Sequence, residues 1–217
     1  VHALTAELLP DLCLERNMTA PSVLPIARTG ISPGTPHRDG ARTTAATPHV
    51  GQALAVLRIA TGWLFLWPFL DKLFGLGYST TSAKAWIHGG SPTRGFLANV
   101  HVGPLQGFFH ATAGNVWADW GFMLALLGIG VALLLGVGLR VVAAGGTLLV
   151  LGMWLASWPS ARFAGGKATA STNPFLDDHL LYALMFVIFA AGSAGDTWGL
   201  GKQWAALPIV RRVPWLR

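Results

Sequence analysis

The chain has 217 residues, of which 53% are hydrophobic and only 11% charged, with a mean hydropathy of +0.51. Soluble domains carry about 25% charged residues, so the composition argues against an ordinary water-soluble globule. The formal net charge of +6 is not concentrated in a basic run with interleaved aromatics. It reads as the basic ends of membrane helices, with no nucleic-acid partner expected.

A single cysteine, Cys13, rules out an intramolecular disulfide, a CxxC pair and any Cys-rich metal site built by this chain alone. The seven histidines show no HExxH or other tight ligand spacing, and no metal is expected. Residues 1–48 hold six prolines among Thr, Ala, Arg and Gly, without sustained apolar periodicity. Such a stretch buries too little surface to offset its ordering entropy and is expected to be a disordered tail. The opening Val1 suits a GTG start codon, and Met18 is an alternative start.

From residue 49 to about 200 the chain reads as one membrane domain. A first apolar span, Ala53 to Leu70, carries a single charge, Arg58, and ends at Asp71-Lys72. Pro68 frees the carbonyl of Leu64, which predicts a kink just before that pair. Arg58 lies well inside the span, where a charge is costly and normally faces the bundle interior; the alternatives are snorkelling to the headgroups and pairing with Asp196 at the inner end of the fourth span. Residues 78–118 are too long for a turn and too charged for a further span. They predict short helices lying in or capping the outer face of the bundle.

From Gly121 to Trp158 the only charge is Arg140. A straight helix of that length would run to about 57 Å, well beyond the hydrocarbon core of about 30 Å. The run is therefore expected to fold back at Gly136, Gly138 and Arg140 into spans 121–138 and 141–158. Gly128, Gly145, Gly146 and Gly152 read as close helix packing. A fourth span, Phe175 to Ala194, is expected to open with Asn173 as N-cap and Pro174 at the first helical position. The fold class is therefore all-α: an integral membrane four-helix bundle, with an extracytoplasmic loop of short helices between the first two spans. Residues 201–217 form a basic C-terminal tail. Basic residues favour the side bearing both termini and Arg140, which the positive-inside rule assigns to the cytoplasm.

This topology gathers Asp71, Lys72, Asp119, Asp177, Asp178 and His179 at one end of the bundle, a candidate polar site. For Asp177, complementing the helix dipole is an equally good explanation.

The run Arg58-x3-Gly62-x2-Phe65 followed by Asp71-Lys72-Leu73-Phe74-Gly75 resembles the first helix of the DoxX/DoxD family. Asn173-Pro174-Phe175-Leu176-Asp177-Asp178-His179, Tyr182 and then Gly195-Asp196-Thr197-Trp198-Gly199-Leu200 are similar to that family's fourth helix and exit. The resemblance covers about residues 50 to 205. It implies a small four-helix protein of the bacterial inner membrane, some of whose relatives are membrane subunits of a thiosulfate:quinone oxidoreductase. On that footing the cofactor or substrate is a quinone, with lipid and a second redox subunit as partners. Lys72 would attract an anionic sulfur donor, and Asp178 with His179 would carry protons. Asp71, Arg58 and Trp158 complete the expected quinone and substrate site. The alternative is a non-catalytic membrane anchor or assembly partner of a redox complex.

Overall fold

A computed structural model of the chain describes residues 48–169 and 171–216. The expected disordered tail, apart from Pro48, lies outside the described residues, as do Cys13 and both candidate start positions. Pro48 itself opens the first helix, α1, which runs from Pro48 to Phe74. The helix therefore begins before the expected Ala53, and it continues through Pro68.

Two short 3-10 turns, Ser82–Lys84 and Trp86–His88, precede α2 (Arg94–Leu97) and α3 (Gln106–Thr112). These are the capping helices expected between the first two spans. Helix α4 covers Val116–Leu135, and the Asn115 side chain caps it by accepting from the backbone N–H of Trp117 at 2.9 Å. Gly136 ends α4 and Gly138 starts the next helix, both at positive φ (71° and 58°), which L side chains avoid. That is the hairpin the glycines predicted. After it come α5 (Leu139–Val141), a π-helical turn at Val142–Gly146 and α6 (Thr147–Ser157). A two-residue strand pair, β1 (Phe163–Ala164) and β2 (Lys167–Ala168), lies in the loop that follows.

Three helical segments, His49–Phe74, Val116–Leu135 and Leu139–Ser157, are long and apolar enough to cross a membrane, with mean hydropathies of 1.6, 2.0 and 1.8. Most of their surface faces outward, as Val56, Leu64, Leu124 and Leu148 show. In water that arrangement would forfeit the burial that drives folding; against lipid it costs nothing.

The expected fourth span is shorter than predicted. Helix α7 covers only Asp178–Ala191, about 21 Å at 1.5 Å per residue. Asn173 does not cap it; its side-chain oxygen accepts from the N–H groups of Phe175 and Leu176, forming a local turn that keeps Pro174 out of the helix. The cap is Asp177, which accepts from Leu180 N at 3.2 Å. At the other end Ser193 takes a left-handed conformation (φ 47°), and a 3-10 turn follows at Ala194–Asp196. The C-terminal residues are helical in α8 (Gly201–Ala206), α9 (Pro208–Arg212) and a last 3-10 turn, Pro214–Leu216.

The core forms where α1, α4, the α5–α6 segment and α7 meet, around Phe65, Leu126, Leu133, Val150, Phe186 and Phe189. Helices α1 and α4 approach closely through Gly62 and Gly130. A Cβ at Gly62 would lie 2.9 Å from Leu134 N, and one at Gly130 would lie 2.8 Å from Leu66 Cβ. Of the glycines expected to pack helices, only Gly146 does so, against Phe186; a Cβ at Gly128, Gly145 or Gly152 meets nothing within 4 Å.

Candidate functional site

Adjacent helical residues point about 100° apart, and this divides the Asp71-Lys72 pair. Asp71 is buried, and its carboxylate accepts from Tyr78 N (3.2 Å), Ser79 N (3.0 Å) and Ser79 Oγ (2.7 Å). It therefore fixes the start of the connecting loop. Asp119, near the start of α4, does the same for the middle of that loop. Its Oδ1 accepts from Ser91 Oγ (2.9 Å), Thr93 N (3.0 Å) and Thr93 Oγ1 (2.6 Å). Charge-assisted bonds of this kind are stronger than neutral ones, so two carboxylates pin the loop over the helix ends.

Beneath the pinned loop lies a cavity of about 570 Å³, within the range of small-molecule sites. Leu64, Phe65 and Pro68 of α1 line it, with Ala118, Phe122 and Leu126 of α4 and Leu149, Gly152 and Met153 of α6. The loop contributes Pro92, Thr93, Phe96, Leu97 and Phe109. The capping helices therefore form part of the cavity wall as well as covering helix ends. Against these mainly apolar walls stand Lys72, Asp178, His179 and Tyr182. The Lys72 ammonium lies 3.3 Å from Ser79 Oγ, to which it donates, so it remains close to the loop that Asp71 anchors.

A second, more polar cavity of about 330 Å³ lies beside the loop that precedes α7. Ser157, Thr169, Ser171, Thr172, Asn173 and Asp177 line it, and Asp178 and His179 belong to both cavities. His179 Nδ1 is 2.7 Å from Asp177 Oδ2 and 3.4 Å from Asp178 Oδ1. The shorter contact is the hydrogen bond. Against an ionised carboxylate, which only accepts, Nδ1 is the donor to Asp177. Asp177 thus caps α7 with one oxygen and orients His179 with the other. Sequence reasoning paired His179 with Asp178 for carrying protons and did not foresee the Asp177 bond; the Asp178 side chain is 67% exposed. An Asp at the cap position two residues before the histidine was the signal for the pair.

Asp177, Asp178 and His179 also bring ligand-type atoms within 4.8 Å of one another. Within the trio, His179 Nδ1 is hydrogen-bonded to Asp177. The trio is held together by that hydrogen bond, with the Asp178 carboxylate 3.4 Å from the same nitrogen.

Arg58 and Trp158 line neither cavity. Arg58 is fully buried and donates to a set of main-chain carbonyls. Its Nε reaches Ala194 O (3.1 Å), Nη1 reaches Leu133 O and Leu134 O, and Nη2 reaches Trp198 O (3.0 Å). The last carbonyls of a helix have no partner within it, and a cation suits that end of the dipole. Arg58 thus ties the end of α4 to the segment after α7 and does not snorkel. At the same place Gly136 and Gly195 touch, so a Cβ on either would collide with the other's backbone. Trp158 ends α6 at φ 36° and stacks edge-on against Trp154, centroids 5.6 Å apart. It also packs against Gly103 of the loop, and it too has a structural role.

No family model, curated protein or solved structure matches the chain.

Proposed function

We propose that the chain is the membrane subunit of a quinone-linked oxidoreductase and that the apolar cavity takes the quinone headgroup. The helices α1, α4, α5–α6 and α7 then form a four-helix membrane bundle of the bacterial inner membrane, with the 75–115 loop on its outer face. The observation that carries the reading is the cavity itself, an apolar chamber of about 570 Å³ with a lysine and an acid–base histidine among its lining residues. Aromatic and aliphatic walls suit a quinone ring, and a few convergent polar groups suit its carbonyls. The DoxX/DoxD-like motifs supply Lys72, Asp178 and His179 to that wall and so point the same way.

A quinone takes two electrons and two protons to become a quinol, and the electron chemistry belongs to the quinone. The protein's part is position and protons. In this reading Lys72 donates a hydrogen bond to a quinone oxygen, and its charge stabilises the negative charge that develops there on reduction. His179 lies between the cavity and the polar chamber, where a proton passes across its ring. Asp177 holds the ring in one tautomer, and it is a positioning residue. The electrons come from a small sulfur donor such as thiosulfate, through a second redox subunit. The polar chamber is lined by Asp177 and Asp178 without Lys or Arg, so it suits proton exchange better than capture of an anion.

The test is purification in mild detergent, extraction of bound quinone, and titration of quinone binding by tryptophan fluorescence. The wild type should retain quinone. Ala118→Phe combined with Gly152→Leu, which fill the cavity from α4 and α6, should lose most of it while the protein stays monodisperse. Partner proteins recovered without quinone, together with no binding on titration, would replace this reading with that of an anchor or assembly partner.

A further inference from the structure

The last acidic residue of the chain is Asp196, and from Thr197 to Arg217 there are four basic residues and no acidic one. The structure folds residues 201–216 back under the α4–α5 hairpin. Leu200 N donates to Leu135 O at 2.8 Å, Arg140 Nη1 to Pro214 O at 3.0 Å, and Trp204 Nε1 to Leu216 O at 2.6 Å. Val210 is buried on the inner side. These bonds hold α8, α9 and the final turn level with the ends of two helices that are apolar enough to cross a membrane.

The outward side of this segment carries two kinds of residue. Lys202, Arg211 and Arg212 are exposed, and so are Leu207, Ile209 (62%), Val213 and Trp215 (54%). Water would suit the basic groups and leave the apolar ones uncovered. A protein partner would have to match both. The headgroup zone of a bilayer matches both at this level, because apolar side chains and tryptophan enter the boundary of the acyl chains while Lys and Arg meet lipid phosphates.

We propose that residues 201–216 form a foot that rests on the membrane surface and binds anionic phospholipid headgroups of the leaflet around the spans. The proposal rests on the membrane reading above but not on the quinone. Apolar contact seats the foot, and Lys202, Arg211 and Arg212 make the seating selective for anionic lipid, since each basic residue near such a surface adds attraction that salt screens. Because Leu200 and Arg140 couple the foot to the hairpin, seating it also steadies the inner ends of α4 and α5.

The experiment uses the full chain in a Cys13→Ser background, with Ile209→Cys carrying an environment-sensitive fluorophore and Val213→Cys as a second position. Vesicles are made of phosphatidylcholine alone or with phosphatidylglycerol, and the quencher is a nitroxide high on the acyl chain. A control label at Leu124→Cys, exposed midway along α4, is read with a deep nitroxide. In anionic vesicles the labels at 209 and 213 should emit to the blue and be quenched. Arg211→Gln with Arg212→Gln, or added salt, should reduce that quenching severalfold. Emission typical of water in both vesicle types overturns the proposal. So does quenching that ignores lipid charge and the arginines, because headgroup recognition is then absent. Shielding without nitroxide quenching that disappears as protein is diluted in lipid identifies a second copy as the cover and also overturns it. An unquenched control at 124 removes the membrane reading, and this proposal with it, whatever the quinone titration shows.

Discussion

His179 Nδ1 lies 2.7 Å from Oδ2 of Asp177, the residue whose other oxygen caps α7 through Leu180 N. One carboxylate therefore fixes both where the helix begins and how the imidazole faces the two chambers it borders. A charged acceptor on Nδ1 favours a single tautomer, and the cap keeps that acceptor from swinging away. The arrangement makes Asp177 and Asp178, neighbours of identical chemistry, unequal in role.

Replacing Asp177 by Asn should preserve the cap, since the two residues are about equal at that position, yet remove the charged partner of His179. In spectra of protein carrying nitrogen-15 histidine, His179 should change from one tautomer to a mixture. Asp178→Asn should leave the ring signals in place. The reverse pattern would make Asp178 the orienting group.

For turnover, the assay is reduction of a water-soluble quinone analogue by a sulfur donor in membranes containing matched amounts of each variant. His179→Gln should slow it by a factor of about 10²–10⁴, the usual contribution of a general acid–base group. In the proposed reaction Lys72→Gln should act on both binding and rate, because the lysine charge would meet the quinone before and after reduction. Equal activity of both variants with the wild type would place the chemistry elsewhere.

Arg58→Leu should unfold the protein far more readily, because it removes the buried guanidinium's bonds to Ala194 O, Leu134 O and Trp198 O, while Leu133 O keeps Gly136 N as a donor. A loss on the order of 3 kcal/mol is expected, at about 1–3 kcal/mol for each buried group left unsatisfied and with partial relaxation. Arg58→Lys should recover only part of it, since one ammonium cannot reproduce the guanidinium fork. Unfolding in graded detergent denaturant measures both, and quinone affinity of the folded fraction should change little because Arg58 does not line the cavity.

Asp119→Ala and Asp71→Ala should each loosen the loop over the cavity without unfolding the helices. Hydrogen bonds to a charged group contribute roughly 1.5–3 kcal/mol, so amide exchange should quicken by at least tenfold, around Ser91–Thr93 in the first variant and Tyr78–Ser79 in the second. Exchange that stays at the wild-type rate would show that the loop is held by its apolar contacts.

The orientation is tested with single cysteines at Thr81 and Gln203, both exposed, in the Cys13→Ser background. Thr93 is a poor choice because it is buried against Asp119. Intact spheroplasts should label the position-81 variant and spare the position-203 variant. The opposite result would invert the bundle.

The sequence by itself determined the features that depend on local composition. Long apolar runs set the three helices that can cross a membrane, and Gly136 and Gly138 set the hairpin because only glycine takes positive φ there without strain. The start of α4 was misplaced: it lies at Val116, set by the Asn115 cap, five residues before the expected Gly121. The gathering of Lys72, Asp178 and His179 at one end also followed from counting spans. It could not be read from the sequence which of the clustered ionisable groups were already engaged. Asp71 and Asp119 are bonded to loop residues that their own helices do not specify, and Arg58 reaches carbonyls 75 to 140 positions away. Asn173-Pro174 looked like a helix start, but the side chain of Asn173 turned onto its own neighbours and left the cap to Asp177. Bonds from Leu200 N and from the Arg140 and Trp204 side chains to distant carbonyls made a folded segment of the basic C-terminus. A polar side chain's role is set by the nearest partner that satisfies it once the chain is folded, and that partner is a property of the tertiary structure.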